Sequence, residues 1–169
     1  MAQQPYTRNN QDRYGRGQER QTAKDDIEKL DTSDINLKTI NSELFSNIAK
    51  NKAEVIAKNT KSNKSTQLRK FYDEIVMWDQ KLMMISDKAK QAEKFSEYLP
   101  FIKMLNAKVA YAEGRKSSGH GLVDQNFVAL ISDCLKQIDN PESMRTFKLF
   151  MEAFMGFYKQ ELYKQERRD

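Results

Sequence analysis

The sequence has little cysteine, histidine, proline or glycine. Its 169 residues include one cysteine, one histidine, three prolines and six glycines. A single cysteine, Cys134, excludes an internal disulfide framework, and a single histidine, His120, excludes a metal or catalytic cluster built from several histidines. No uncharged run approaches the roughly 18 to 20 residues that cross a bilayer, and the first residues contain no apolar signal-peptide core. These absences predict a soluble, cytoplasmic protein without disulfides, bound metal or cofactor.

The carboxylates show no spacing that is typical of a catalytic pair. On helices, Glu74, Asp79 and Glu97 are expected to be surface partners of lysines rather than a general acid and base. Cys134 falls in the apolar stripe of a helix, where a small core residue is expected. The sequence therefore predicts that the protein is not an enzyme.

A glycine-rich run from Gly114 to Gly121 interrupts the second half of the chain. It differs from a phosphate-binding P-loop, because His120 and Gly121 stand where that motif has Lys and Ser or Thr, and because a helix precedes it instead of a strand. We expect a flexible loop in which His120 has no special role.

The chain divides into a polar N-terminal part and a patterned remainder. Residues 1–33 are almost free of apolar side chains, which predicts a disordered tail. The tail carries several arginines, which suggests either a loose RNA-touching arm or, given the interspersed acidic residues, a solubilising segment. These arginines are Arg8, Arg13, Arg16 and Arg20. Residues 34–169 are predicted to form one folded domain.

Helical periodicity runs through this domain. Ser33 or Asp34 is predicted to cap a first helix whose apolar side includes Ile40 and Leu44. A second helix starts at Ser65 or Thr66 after a basic linker. The apolar face of that helix comprises Leu68, Phe71, Tyr72, Ile75, Trp78, Leu82 and Ile85.

Three further signals divide the remaining chain. Asp87 can cap a new helix, and Pro100 disfavours helical geometry at Leu99, which predicts a fresh helix or a kink there. Asn140, followed by proline and glutamate, is a strong helix start. No segment alternates with period two, so we predict an all-α fold, a compact bundle of about five helices without a sheet.

The positive charge is concentrated in the middle of the chain. The net charge is +5, and residues 61–120 alone carry twelve cations and seven anions. In this sector, Met104, Lys108, Tyr111 and Arg115 fall within about 60° of one another on a helix. Periodicity alone leaves two interpretations open, an amphipathic helix with solvated lysines and a nucleic-acid-binding face.

Eight basic residues form the candidate RNA-binding set. If the two helices that carry most of them are antiparallel neighbours, the charges can merge into one groove that follows a phosphate backbone. Such a groove reads shape and charge rather than bases, because paired bidentate donors are missing. The candidates are Lys64, Arg69, Lys70, Lys81, Lys103, Lys108, Arg115 and Lys116.

Two stretches resemble a known family. They are STQLRKFYDEI, from Ser65 to Ile75, and LPFIKMLNAKVAYAEGRK, from Leu99 to Lys116, followed by a terminal helix rich in phenylalanine. Together they resemble the small subunit of type III-A CRISPR effector complexes, the Csm small subunit. The similarity extends from about Asp34 to Tyr163.

This resemblance implies a non-catalytic helical subunit in antiviral defence. It implies copies that stack head to tail as an inner filament and contact the guide RNA and the target RNA through their backbones. It also implies association with the backbone subunits and the large subunit of the complex. The eight basic residues are the contacts that the resemblance suggests. Because the sequence shows no sign of base readout, Met104 and Tyr111 are interpreted as packing that directs Lys108 and Arg115 toward a backbone, rather than as platforms on which bases stack. The alternative is a helical protein–protein adaptor without direct RNA contact.

Overall fold

The computed structural model of the protein describes residues 28–167. Across this range, six α-helices are joined by short connections, with a π-helical turn before the first and one minimal hairpin between the fourth and fifth. The prediction of an all-α bundle is confirmed. The elements are a π-helical turn (Leu44–Ile48), α1 (Ala49–Ala57), α2 (Ser65–Met83), α3 (Lys88–Lys103), α4 (Leu105–Gly114), β1 (Lys116–Ser117), β2 (His120–Gly121), α5 (Gln125–Lys136) and α6 (Pro141–Glu166).

Residues 28–33, the described part of the predicted tail, pack against α5. The Leu30 side chain is buried, and its backbone N–H donates to Asn126 Oδ1 at 3.0 Å. The Asn126 amide in turn donates to the Glu28 carbonyl at 2.8 Å. The rest of the predicted tail, with its four arginines, lies outside the described residues.

The helix predicted to start at Ser33 or Asp34 begins later, at Leu44. Asn36 Oδ1 accepts hydrogen bonds from two following backbone N–H groups, a local turn that competes with helix formation. Asp34 does not cap a helix, since its carboxylate binds Lys52 at 2.6 Å. Ile40, assigned to the apolar side, is 57% exposed. The prediction was wrong here because the local turn at Asn36 and bonds to residues distant in sequence, such as that of Asp34 to Lys52, outweighed the apolar spacing.

The helix break expected at Pro100 occurs four residues later. Pro100 lies inside α3, Leu99 is helical, and the chain turns at Met104 before α4. The proline removes one N–H donor and does not end the helix. The predicted cap of α3 is confirmed, because the Asp87 carboxylate accepts from Lys90 N.

The glycine-rich loop forms a two-residue hairpin, so the expectation of no sheet was wrong at this one place. Lys116 pairs with Gly121 in antiparallel register. The two turn residues, Ser118 and Gly119, have φ of 53° and 85°, as a type I′ turn requires. A side chain at Gly121 would lie 2.4 Å from the Glu113 carbonyl oxygen. This close approach holds the hairpin against the end of α4.

The centre of the bundle is α6, which packs against α1 and α2, while α4 packs against α5. The start of α6 follows the prediction, since Asn140 and Ser143 form a reciprocal capping box. The apolar side chains predicted for α6 supply much of the core, and Cys134 of α5 is fully buried as predicted. Burial strongly raises the pKa of the Cys134 thiol. The fully buried apolar and aromatic members of α6 are Met144, Phe147, Phe150, Met151, Phe154 and Tyr158.

One buried polar junction connects the linker before α2 to the rest of the bundle. Asn63 adopts a left-handed conformation with φ of 57°. Its backbone N–H donates to Leu122 O at 3.1 Å, and its Oδ1 accepts from Asp124 N at 2.9 Å. The buried Tyr158 hydroxyl donates to the Asn63 carbonyl. These bonds fix where α2 begins relative to the hairpin and α5.

Over residues 28–167, the helices lack the combination of length and hydropathy that a membrane-spanning helix requires.

Candidate nucleic-acid interface

An open groove separates α2 from α4. The two helices run antiparallel, because α2 contacts the α3–α4 segment in reverse order: Trp78 lies 5.5 Å from Tyr98, ring to ring, and Glu74 meets Lys108. The groove has a volume of about 460 Å³, and we call it the α2–α4 groove. Its lining residues are Gln67, Lys70, Phe71, Glu74, Met104, Ala107, Lys108, Tyr111, Ala112, Arg115 and Leu122.

Three of the eight candidate cations meet in this groove. Lys70 extends from α2, whereas Lys108 and Arg115 extend from α4 and its end. Lys108 Nζ lies 2.7 Å from Glu74 Oε1, and Glu74 is the one carboxylate among the lining residues. Within residues 28–167, Lys70 and Arg115 have no ion-pair partner. The groove therefore keeps a positive charge after Lys108 is paired.

A fourth candidate cation, Lys116, begins the hairpin directly after Arg115 in sequence. The Leu122 N–H donates to the carbonyls of Ala112 at 2.9 Å and Arg115 at 3.2 Å. These bonds hold β1 at the C-terminal end of α4, where Lys116 is exposed. Lys116 thus extends the charge of Arg115 along the chain.

Lys81 lies farther along the α2 stripe that carries Lys70 and Glu74. Its ammonium group lies 4.8 Å from the centre of the Trp78 ring and 5.9 Å from that of Tyr98. These contacts hold the charge over an aromatic pair at the α2–α3 contact. Lys81 does not line the groove.

Two candidates face the other side of α2. Arg69 lies over the Tyr72 ring at 5.4 Å and pairs with Asp73 at 2.7 Å, in a second groove between α2 and α6. Lys64 donates to the Thr60 carbonyl at 2.8 Å. This second groove also contains Lys159, which lies in the acidic final part of the chain and which the charge distribution therefore did not single out.

Lys103 is separated from the other candidates. Its ammonium group donates to the Leu135 carbonyl, in the last turn of α5. Burial lowers the pKa of Lys103. A cation at this position satisfies a terminal carbonyl and complements the helix dipole. The structure thus gives Lys103 a contact within the bundle.

The structure changes the interpretation of three further side chains. Tyr111 is 70% exposed and Met104 is 52% exposed, so both side chains line the open groove with Lys108 and Arg115 and keep more than half of their surface uncovered. Asp79, expected on the surface beside a lysine, is buried and pairs with Arg145 of α6. Helical spacing carried this signal, because Asp79 falls between Ile75 and Leu82 on the buried side of α2. In contrast, Glu74 and Glu97 pair with lysines as predicted.

The α2–α4 groove combines cationic and apolar lining residues. In the part of the chain that the structure describes, no group of three or more potential metal ligands occurs. The α2–α4 groove instead presents cations around an apolar floor.

Comparison with known proteins decides the family, since the sequence model of Csm2 Type III-A matches residues 42–165. The chain belongs to the Csm2 type III-A family.

Family membership makes the chain a small subunit of the type III-A CRISPR Csm complex, which associates with the other subunits of that complex. The resemblance read from the sequence is therefore confirmed. The matched range contains all eight candidate cations and the α2–α4 groove. No curated protein and no solved structure matches the chain significantly.

Proposed function

We propose that this small subunit is non-catalytic and binds the backbone of guide and target RNA through the α2–α4 groove. Copies stack head to tail as an inner filament of the Csm complex, beside the backbone and large subunits, and act in cytoplasmic antiviral defence. One observation carries the proposal: Lys70, Lys108 and Arg115 converge on one open groove within the most basic part of the chain. Cations spaced along a groove bind phosphates without reading sequence, which in such complexes is read by base pairing.

The proposal gives the eight cations unequal roles. Lys70, Lys108, Arg115 and Lys116 form the primary contact surface, and Lys81 extends it along α2. Arg69 and Lys64 serve a second strand or a neighbouring copy on the other side of α2. Because one bundle offers few phosphate contacts, strong binding requires several stacked copies.

A double charge reversal, K108E/R115E, tests this function in the assembled Csm complex. We expect unchanged helicity and a fall in the free energy of unfolding of about 1 kcal/mol or less, because the new carboxylate at position 108 repels Glu74. The RNA affinity is expected to be about tenfold lower, and its dependence on salt weaker by the equivalent of about two phosphate contacts. The matched control is K88E/K90E, which changes the charge equally at the exposed start of α3. Acidic residues are favourable in the first turn of a helix, and K88E breaks only the exposed ion pair between Lys88 and Glu142 at 3.7 Å, so the control is expected to fold and to bind RNA normally.

A protein–protein adaptor is the second candidate function. It is favoured by the apolar end of α2, where Met83 and Met84 are 42% and 81% exposed. If K108E/R115E binds RNA like the wild type while M83S/M84S releases the subunit from the complex, the adaptor replaces the RNA-binding proposal. A large loss of thermal stability in K108E/R115E would instead assign these side chains to packing.

A further inference from the structure

The Tyr111 ring is exposed inside a groove that otherwise carries charge. It is 70% exposed and lines the α2–α4 groove. Among residues 28–167, no aromatic ring or cationic group lies over its face. Tyr163 is also exposed, at 53%, but the guanidinium group of Arg167 covers that ring at 4.8 Å. Tyr111 therefore offers a free aromatic face.

Cations lie on both sides of this ring along α4. Lys108 precedes Tyr111 by three residues and Arg115 follows it by four, so all three lie on one side of the helix. At about 1.5 Å of rise per residue, the two cations are about 10 Å apart along the helix axis. A nucleotide has room between them with its phosphates toward the two charges.

The residues that line the groove near the Tyr111 ring include apolar residues with small side chains. Ala107 and Ala112 contribute small side chains, and Leu122 is a further apolar residue of the lining. A flat base can therefore approach the Tyr111 ring without displacing a large side chain. Proteins that bind single strands combine an aromatic platform with cations that follow the backbone. In a continuous duplex the bases are already stacked on one another, so their faces cannot contact the ring. The Tyr111 ring therefore adds no stacking energy to the binding of a duplex.

We propose that Tyr111 stacks on an unpaired RNA base, and that the α2–α4 groove thereby prefers single-stranded RNA to a continuous duplex. This inference rests on the proposed RNA binding and adds base contact to a groove otherwise expected to bind only the backbone. The hydroxyl group is not required, because the ring supplies the contact.

Three variants test the inference: Y111L, Y111F and the control Y163L. Affinities for one RNA sequence, single-stranded and as a duplex, are measured with the full chain at low salt. We expect Y111L to bind the single strand about tenfold more weakly, and its duplex affinity to change less than about twofold. Y111F and Y163L are expected to match the wild type. In the assembled Csm complex, RNA that contains 5-iodouridine is expected to cross-link under ultraviolet light to the peptide that contains Tyr111.

The outcomes separate this inference from the proposed function. If Y111L matches the wild type while K108E/R115E loses RNA, the stacking role is overturned and the backbone contact stands. If the wild type binds no RNA and the complex yields no cross-link to α4, both are overturned. Equal losses for single strand and duplex in Y111L would also overturn stacking. The same holds if Y111L binds RNA normally but leaves the Csm complex, since Tyr111 would then contact a protein subunit.

Discussion

Lys108 of α4 binds Glu74 of α2 across the α2–α4 groove, with 2.7 Å between Nζ and Oε1. The pair joins the central cation of the proposed RNA surface to the one carboxylate among the residues that line the groove. Its two side chains differ in exposure, 48% for Lys108 and 19% for Glu74. A phosphate that binds Lys108 must compete with this carboxylate, so Glu74 is expected to set how tightly the groove holds RNA.

Replacing Glu74 by glutamine should strengthen RNA binding. E74Q removes the competing charge. We therefore expect an RNA affinity about two- to fivefold higher than that of the wild type, with a steeper dependence on salt. The free energy of unfolding should change by less than about 1 kcal/mol, because the pair is partly exposed. Fluorescence anisotropy at several salt concentrations measures the affinity. E97Q is the control, since Glu97 pairs with Lys94 on α3. Weaker RNA binding by E74Q would mean that the ion pair positions Lys108 for RNA.

Lys103 and Lys108 should show opposite effects when each is replaced by methionine. K103M removes the ammonium group of α3 that donates to the Leu135 carbonyl in the last turn of α5. We therefore expect the free energy of unfolding to fall by about 1 kcal/mol, with unchanged RNA affinity. K108M should weaken RNA binding and leave stability nearly unchanged. Urea denaturation and RNA titration of both variants check this. Equal loss of RNA binding in the two variants would return Lys103 to the RNA surface.

The buried carboxylate of Asp79 should make the bundle depend on Arg145. Asp79 is 2% exposed, and in the described part of the chain its Oδ1 has no hydrogen-bond partner. R145M leaves this charge buried without a cation, so we expect a loss of about 2 kcal/mol. D79N removes the charge itself and should cost about 1 kcal/mol. Urea denaturation compares the variants, and an R145M loss no larger than that of D79N would contradict the argument.

Acid should weaken the attachment of the segment before α1. Hydrogen bonds from Lys136 and Thr32 lower the pKa of Asp133 below its usual 3.8. Because the folded pKa is lower than the unfolded one, the stabilisation is complete above about pH 4 and is lost as the pH falls through the folded pKa. NMR titration should show a higher Asp133 pKa in T32V and a still higher one in K136M. An unchanged Asp133 pKa in both variants would refute this.

The sequence predicted elements best where short-range signals and burial agreed. Asn140 and Pro141 identified the start of α6, and Asp87 identified the start of α3, because each cap depends on residues within one helical turn. The phenylalanine-rich composition of α6 indicated a helix of the core, since a helix that is apolar around much of its circumference is usually buried. These features needed no knowledge of neighbouring elements.

Prediction failed where distant residues decided the outcome. Residues 34–43 carry helix-like apolar spacing, yet they form turns and bends instead of a helix, and the Leu37 N–H donates to Oε1 of Gln137, at the C-terminal end of α5, at 2.8 Å. Pro100 stays inside α3, which also packs against α2. Lys103 looks like its basic neighbours in sequence and differs only because the end of α5 lies beside it.

The sequence by itself determined the all-helical class, the basic sector and the family, since composition, periodicity and motifs are properties of the chain alone. Tertiary structure decided which cations share a groove, which are already paired, and that Tyr111 is left exposed between two of them. The physical reason is that helical spacing gives the direction of a side chain around its own axis. What that side chain meets depends on which helix packs beside it.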